Sequence, residues 1–225
     1  MKRHLLTAVV LGLLAGCSSA PQPKLQAAIG TYSGAGGVGR SYILVLRPQQ
    51  QPNSLTVNIS GPGGYSESLT LQSAESRTPS GTWWQLGWGE NRPLVSGTYT
   101  ISTTIDGETL QVALDIDASR VLSPPAVTLG PDPTTKTVAV SWGGVSGASS
   151  YLVRLVNRST QTVVARSRVT GLGFTFDNLG LNPADTYQVE VYAASSNIST
   201  DPPLVPAQFN LALGQSQPFT VRQAP

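Results

Sequence analysis

The chain has 225 residues with a net charge of +2, from 14 Lys and Arg against 12 Asp and Glu, and it contains one histidine and one cysteine. With only 12% of residues charged, it lacks the concentrated positive field that binding a nucleic-acid backbone requires. A single cysteine leaves no disulfide framework, and no spacing of Cys and His suits zinc.

At the start, Lys2 and Arg3 precede an apolar run, Leu5 to Leu14, broken only by Thr7 and Gly12. A bilayer-spanning helix takes about 20 apolar residues, so this run has the proportions of the apolar part of a signal peptide. It ends in Leu14-Ala15-Gly16-Cys17. That tetrad resembles the lipobox of bacterial lipoproteins. The resemblance implies a signal peptide over residues 1–16, cleavage before Cys17, a diacylglyceryl group on its thiol and acylation, typically by palmitate, of its new amine. The bilayer is then one partner, held through Cys17. Two or more acyl chains anchor stably, since each buried methylene contributes about 0.8 kcal/mol. Ser18, where an Asp would signal retention, implies the outer membrane of the cell envelope rather than the inner. Maturation also removes Lys2, Arg3 and the only histidine, His4, leaving a near-neutral protein.

Residues 17–40 are rich in Ser, Ala, Pro, Gln and Gly and read as the lipidated cysteine and a flexible tether, with the part from Thr31 open to joining the first domain. Twenty such residues reach roughly 25 Å. Gly34-Ala-Gly36-Gly37-Val-Gly39-Arg40 has phosphate-loop spacing. However, it lacks a preceding strand, a following helix and the essential lysine, so it reads as a glycine loop.

Residues 41–120 read as one β-domain. Tyr42–Arg47 is an apolar strand, and Leu55, Val57 and Ile59 alternate with polar residues. Leu69 and Leu71 mark another strand, and Trp84, Leu86 and Trp88 share a face of the next, which the alternation assigns to the core. Tyr99, Ile101 and Thr103 alternate ahead of Asp106-Gly107, a type I′ hairpin signal, and Leu110 to Ile116 returns. Residues 121–125, with Pro124-Pro125, read as a stiff linker.

In residues 126–225, Val138, Val140 and Trp142 alternate, as do Tyr151, Val153 and Leu155. Leu181-Asn-Pro183 then leads into Tyr187-Gln-Val189-Glu-Val191-Tyr-Ala193. This order resembles the fibronectin type III signature, with a buried tryptophan early and a tyrosine corner late. The resemblance implies that the Tyr187 hydroxyl bonds backbone near residues 181–184. It puts Gln188 and Glu190 outside. The pattern departs from the family after Ala193, where Ser195 to Gln217 leaves the last strand unplaced. Ser96-Gly97-Thr98-Tyr99 echoes the same corner in the first domain, which resembles an immunoglobulin-like relative. The fold class is all-β: two tandem β-sandwiches, immunoglobulin-like and fibronectin type III-like, after a lipoprotein signal peptide and tether.

No catalytic residue, metal ligand or cofactor site emerges. Without histidine or a free thiol no nucleophile has its usual base, and Asp115 and Asp117 read as a solvated strand face. Trp83 points opposite to Trp84 and Trp88, so it is a candidate for ligand or partner contact. Arg154, Arg166 and Arg168 align on neighbouring strands, either as edge protection or as contacts for an anionic partner. The function expected is a non-enzymatic, membrane-anchored binding or scaffold module whose partner is an envelope protein or glycan. A carbohydrate-binding accessory or carboxylate-dependent polysaccharide-active protein is one alternative, and a subunit of a larger envelope or secretion assembly is another.

Overall fold

The computed structural model describes residues 23–50, 52–72, 81–90 and 92–224, so the signal segment and Cys17 lie outside the described residues. The first half contributes β1 (Leu25–Gly34), β2 (Gly37–Leu46), β3 (Ser54–Gly61), β4 (Tyr65–Gln72), β5 (Trp83–Glu90), β6 (Gly97–Ile105) and β7 (Glu108–Ile116). The second contributes β8 (Val127–Leu129), β9 (Val138–Trp142), β10 (Ser150–Asn157), β11 (Thr162–Val169), β12 (Gly173–Phe176), β13 (Tyr187–Ala194) and β14 (Leu211–Gln215). In each half the first, second and fifth strands are adjacent in one sheet, and the fourth, third, sixth and seventh run side by side in another. The halves therefore repeat one topology. The first is more than a loose immunoglobulin-like relative, because it has the strand order of the second.

The two sandwiches share a sheet. β1 pairs in parallel with β14 through Tyr32↔Leu211 and Ser33↔Ala212, which joins three strands of the first half to four of the second in the order β11-β10-β13-β14-β1-β2-β5. One face of this sheet packs on β4-β3-β6-β7 around Leu44, Trp83, Tyr99 and Ile101, and beside that on β12-β9-β8 around Trp142, Val153, Tyr187 and Val189. The opposite face carries a third apolar cluster, with Tyr32, Ile43, Tyr192, Phe209 and Leu213.

This sharing corrects the expected tether. From Leu25 onward the chain is β1, almost wholly buried, because a strand central to a sheet covered on both faces has no polar side to show. Its small residues concealed it. At Gly30 they serve close approach, since a Cβ there would lie 2.1 Å from the Phe209 carbonyl oxygen. The glycine loop is the β1–β2 hairpin turn. The expected linker is also packed rather than free. Leu122 joins the second core, and its carbonyl accepts from Ser33 Oγ at 2.6 Å.

Local signals fold as their chemistry requires. Asp106 and Gly107 take positive φ values of 53° and 76° between β6 and β7. Tyr187 is 1% exposed; its hydroxyl donates to the Asn182 carbonyl (3.1 Å) and accepts from the Asn182 N–H (2.8 Å). Tyr99 makes the same pair with Val95, both bonds at 3.2 Å. Trp142 is buried against Tyr151, with ring centres 5.3 Å apart. The last strand, left open by the sequence, is β14, while Phe219 only bridges to the start of β13.

Candidate functional site

The end strands of the large sheet, β5 and β11, approach each other across its concave side and bound a groove of about 960 Å³. Trp84, Leu86 and Trp88 line it from the first half; Leu152, Arg154 and residues 163–168 line it from the second. The approach is close enough for contact. The Arg168 guanidinium lies 4.7 Å from the centre of the Trp84 ring, and Arg154 sits 5.6 Å from both the Trp88 and Tyr192 rings. Trp88 and Tyr192 themselves pack at 4.3 Å.

Trp83 is not at this surface. It is fully buried in the first core, and Trp84 and Trp88 are the half-buried pair in the groove, which reverses the expected facing. The reason lies in the neighbouring strand. The face carrying Trp83 also carries Gly87 and Gly89. Tyr42 and Arg40 on β2 stand opposite them and fold into the vacated space, so that a Cβ on Gly87 would meet the Tyr42 ring at 2.3 Å.

The structure gathers all three expected arginines along the groove, by different means. Arg154 is paired with Glu190 at 3.4 Å, and Glu190 is 7% exposed rather than outward as expected. Glu190 also accepts from the Tyr192 hydroxyl (3.0 Å) and Gln215 (3.4 Å). Burial, followed by the nearby Glu190 charge, pushes the Tyr192 hydroxyl well above the usual range. Arg168 Nη1 donates to the Ile198 and Thr200 carbonyls at 2.9 and 2.8 Å. Arg166 stands exposed opposite Arg154 on the neighbouring strand.

Residues 195–210, the segment without a sequence signal, close one end of the groove. Asp201 accepts from Trp84 Nε1 at 2.7 Å, and Ile198, Val205 and Phe209 fill the third cluster beneath. The segment is fastened by Ser150, whose hydroxyl donates to the Ser196 carbonyl at 2.6 Å and accepts from Ile198 N–H. None of this was visible in the sequence, because the partners lie in strands far apart along the chain.

Other candidates fall away from the groove. Arg40 is buried between the sheets of the first half in a forked ion pair with Glu67, so it serves no phosphate. Asp115 accepts from Thr98, and Asp117 from Ser119. Among the described residues no group of three or more His, Cys, Asp or Glu could hold a metal ion.

Strand order, two corner tyrosines and the buried tryptophan define the class as a tandem of fibronectin type III-like β-sandwiches. No protein-family model and no curated protein matches the chain. Solved structures do match it. The FN1–FN3 domains of chicken CNTN1 are 16% identical over 86% of this chain, which spans 63% of that chain's length, with a TM-score of 0.32. A two-domain fibronectin type III segment of chicken tenascin is 16% identical over 85% of this chain and 96% of that one, with a TM-score of 0.32. Domains A168–A170 of titin are 15% identical over 88% and 66%, with a TM-score of 0.34.

Proposed function

We propose that this chain is a lipid-anchored protein of the cell envelope, held through Cys17 in the outer membrane, that binds another envelope component without catalysis. The observation carrying the binding half is the groove, where two tryptophans and three arginines from separate sandwiches line one cavity. Side chains with aromatic faces and guanidinium forks are those that concentrate binding energy at interfaces. The anchoring half rests on the lipobox-like tetrad at Leu14–Cys17. A polysaccharide-cleaving role has less support, because the carboxylates beside the groove are already engaged, Glu190 by Arg154, Tyr192 and Gln215 and Asp201 by Trp84.

Two measurements test the reading. Cys17→Ser should abolish incorporation of labelled palmitate and release the protein from the membrane fraction, or leave it unprocessed. Full processing and membrane retention of that variant would refute the anchor. For binding, partners crosslinked to wild type in intact envelopes should be lost from a Trp84→Ala, Arg166→Ala double variant that still folds. An unchanged crosslinking pattern would remove the groove from the proposal.

A further inference from the structure

We infer that the groove takes an extended acidic segment of a partner protein, which adds as a strand along β11 and places carboxylates on Arg166 and Arg168. This rests on the groove being the binding site and names what fills it.

β11 is an end strand of the seven-stranded sheet, and Val163 and Val164 on it are 44% and 41% exposed. Exposed apolar side chains on an unpaired end strand invite pairing unless charges guard the edge. Of the three arginines only Arg166 stays exposed on this edge. Arg168 folds back over Trp84 and is held by two carbonyls, and Arg154 is held by Glu190. The strand irregularity lies near Val163 and Val164; from Ala165 to Val169 the pairing with β10 is regular, so this stretch presents a straight outer edge. The groove is lined by every residue from Val163 to Arg168, alternate faces included, which is the signature of a strand's edge rather than of one face.

Chemistry selects among occupants. Arg166 and Arg168 share a strand face and are about 6.6 Å apart along it, which is the spacing of alternate side chains on an incoming strand. A second copy of this chain pairing through β11 would bring these arginines toward their own counterparts, and like charges across a strand pair destabilise it. A sugar would need free ring faces for stacking. Arg168, Arg154 and Tyr192 already pack against the Trp84 and Trp88 rings, which leaves less ring surface for stacking. Backbone pairing along β11 combined with carboxylate-to-guanidinium bonds uses what remains.

The test uses the full chain in detergent against arrays of nine-residue peptides, randomised except for Glu, Ser or Lys fixed at two alternate positions. A set of acidic oligosaccharides is run alongside. The Glu array should be retained at least ten-fold over the Ser and Lys arrays. The double variant Arg166→Glu, Arg168→Glu should reverse that order, and Arg166→Glu alone, at the exposed site, should weaken it if the double variant misfolds. Bound peptide should slow amide hydrogen exchange at residues 165–169 by ten-fold or more, which charge attraction without strand pairing would not do. Binding of the oligosaccharides alone overturns strand addition and leaves the groove as a binding site. Failure of both probe classes overturns the groove reading as well. Equal retention of all three peptide arrays overturns the acidic specificity.

Discussion

Asn210 Oδ1 accepts the backbone N–H of Thr31 at 3.1 Å across the seam between the two sandwiches, with the Thr31 hydroxyl 3.2 Å away. Around this contact the Phe209 N–H donates to the Ile29 carbonyl and Ser41 Oγ to the Phe209 carbonyl. Asn210→Ala leaves a buried backbone donor without its acceptor, at a cost of about 1–3 kcal/mol. Wild type should unfold in urea as one unit. The variant should show two transitions, separable by tryptophan fluorescence and far-ultraviolet circular dichroism. A single unshifted transition would mean that the seam does not couple the halves.

The two corner tyrosines make matching predictions in separate cores. Tyr187→Phe and Tyr99→Phe each keep the ring and strand a backbone carbonyl and N–H, costing about 1–3 kcal/mol. Tyr187→Ala should cost about 3–5 kcal/mol. Urea midpoints of the variants give the comparison, and silence of both phenylalanine variants would strip the corner of its structural role.

Glu190 is the case where facing matters most. Its removal leaves Arg154 unpaired and the Tyr192 hydroxyl without an acceptor, so Glu190→Ala should destabilise by about 1–3 kcal/mol. Glu108→Ala, at an exposed ion pair with Lys24, should be indistinguishable from wild type in the same thermal melts. Equal behaviour of the two variants would contradict the burial of Glu190.

The Arg40–Glu67–Tyr65 cluster should shape the pH dependence. Burial pushes the Glu67 carboxyl up, but hydrogen bonds from Arg40 and Tyr65 outweigh it and hold it below its ordinary 4.5. A depressed carboxyl contributes stability above its unfolded value and loses it as pH falls through the folded one. Burial, then the bond to Glu67, pushes the Tyr65 hydroxyl up to about 12, a contribution present below its ordinary 10.0 and lost as pH rises beyond it. Urea midpoints should therefore fall in acid and again in strong alkali, and Glu67→Gln should flatten the acid limb. An acid limb unchanged in Glu67→Gln would assign it to other carboxylates.

Sequence legibility followed locality. Tyr187 with Pro183 and Leu181, Trp142 on its alternating strand, and Asp106-Gly107 each signal through near neighbours, and each folds as read. β1 was illegible because it is buried on both faces and spaced by Ala and Gly, which erases alternation. The same cause misdirected Trp83 and Glu190. Alternation predicts one wet face, whereas β5 and β13 belong to a sheet with apolar material on both sides. No pattern along the chain announces that β1 meets β14, since parallel pairing between distant segments carries no turn signal.

That pairing also sets how the molecule bears load. β1 and β14 run the same way, so tension applied at Leu25 and at Gln215 pulls the two strands lengthwise past one another. Their backbone bonds, with the Thr31–Asn210 clasp, are then strained together rather than peeled apart one at a time. The join between the sandwiches therefore resists stretching as a shear clamp, and neither half extends until the clamp has slipped.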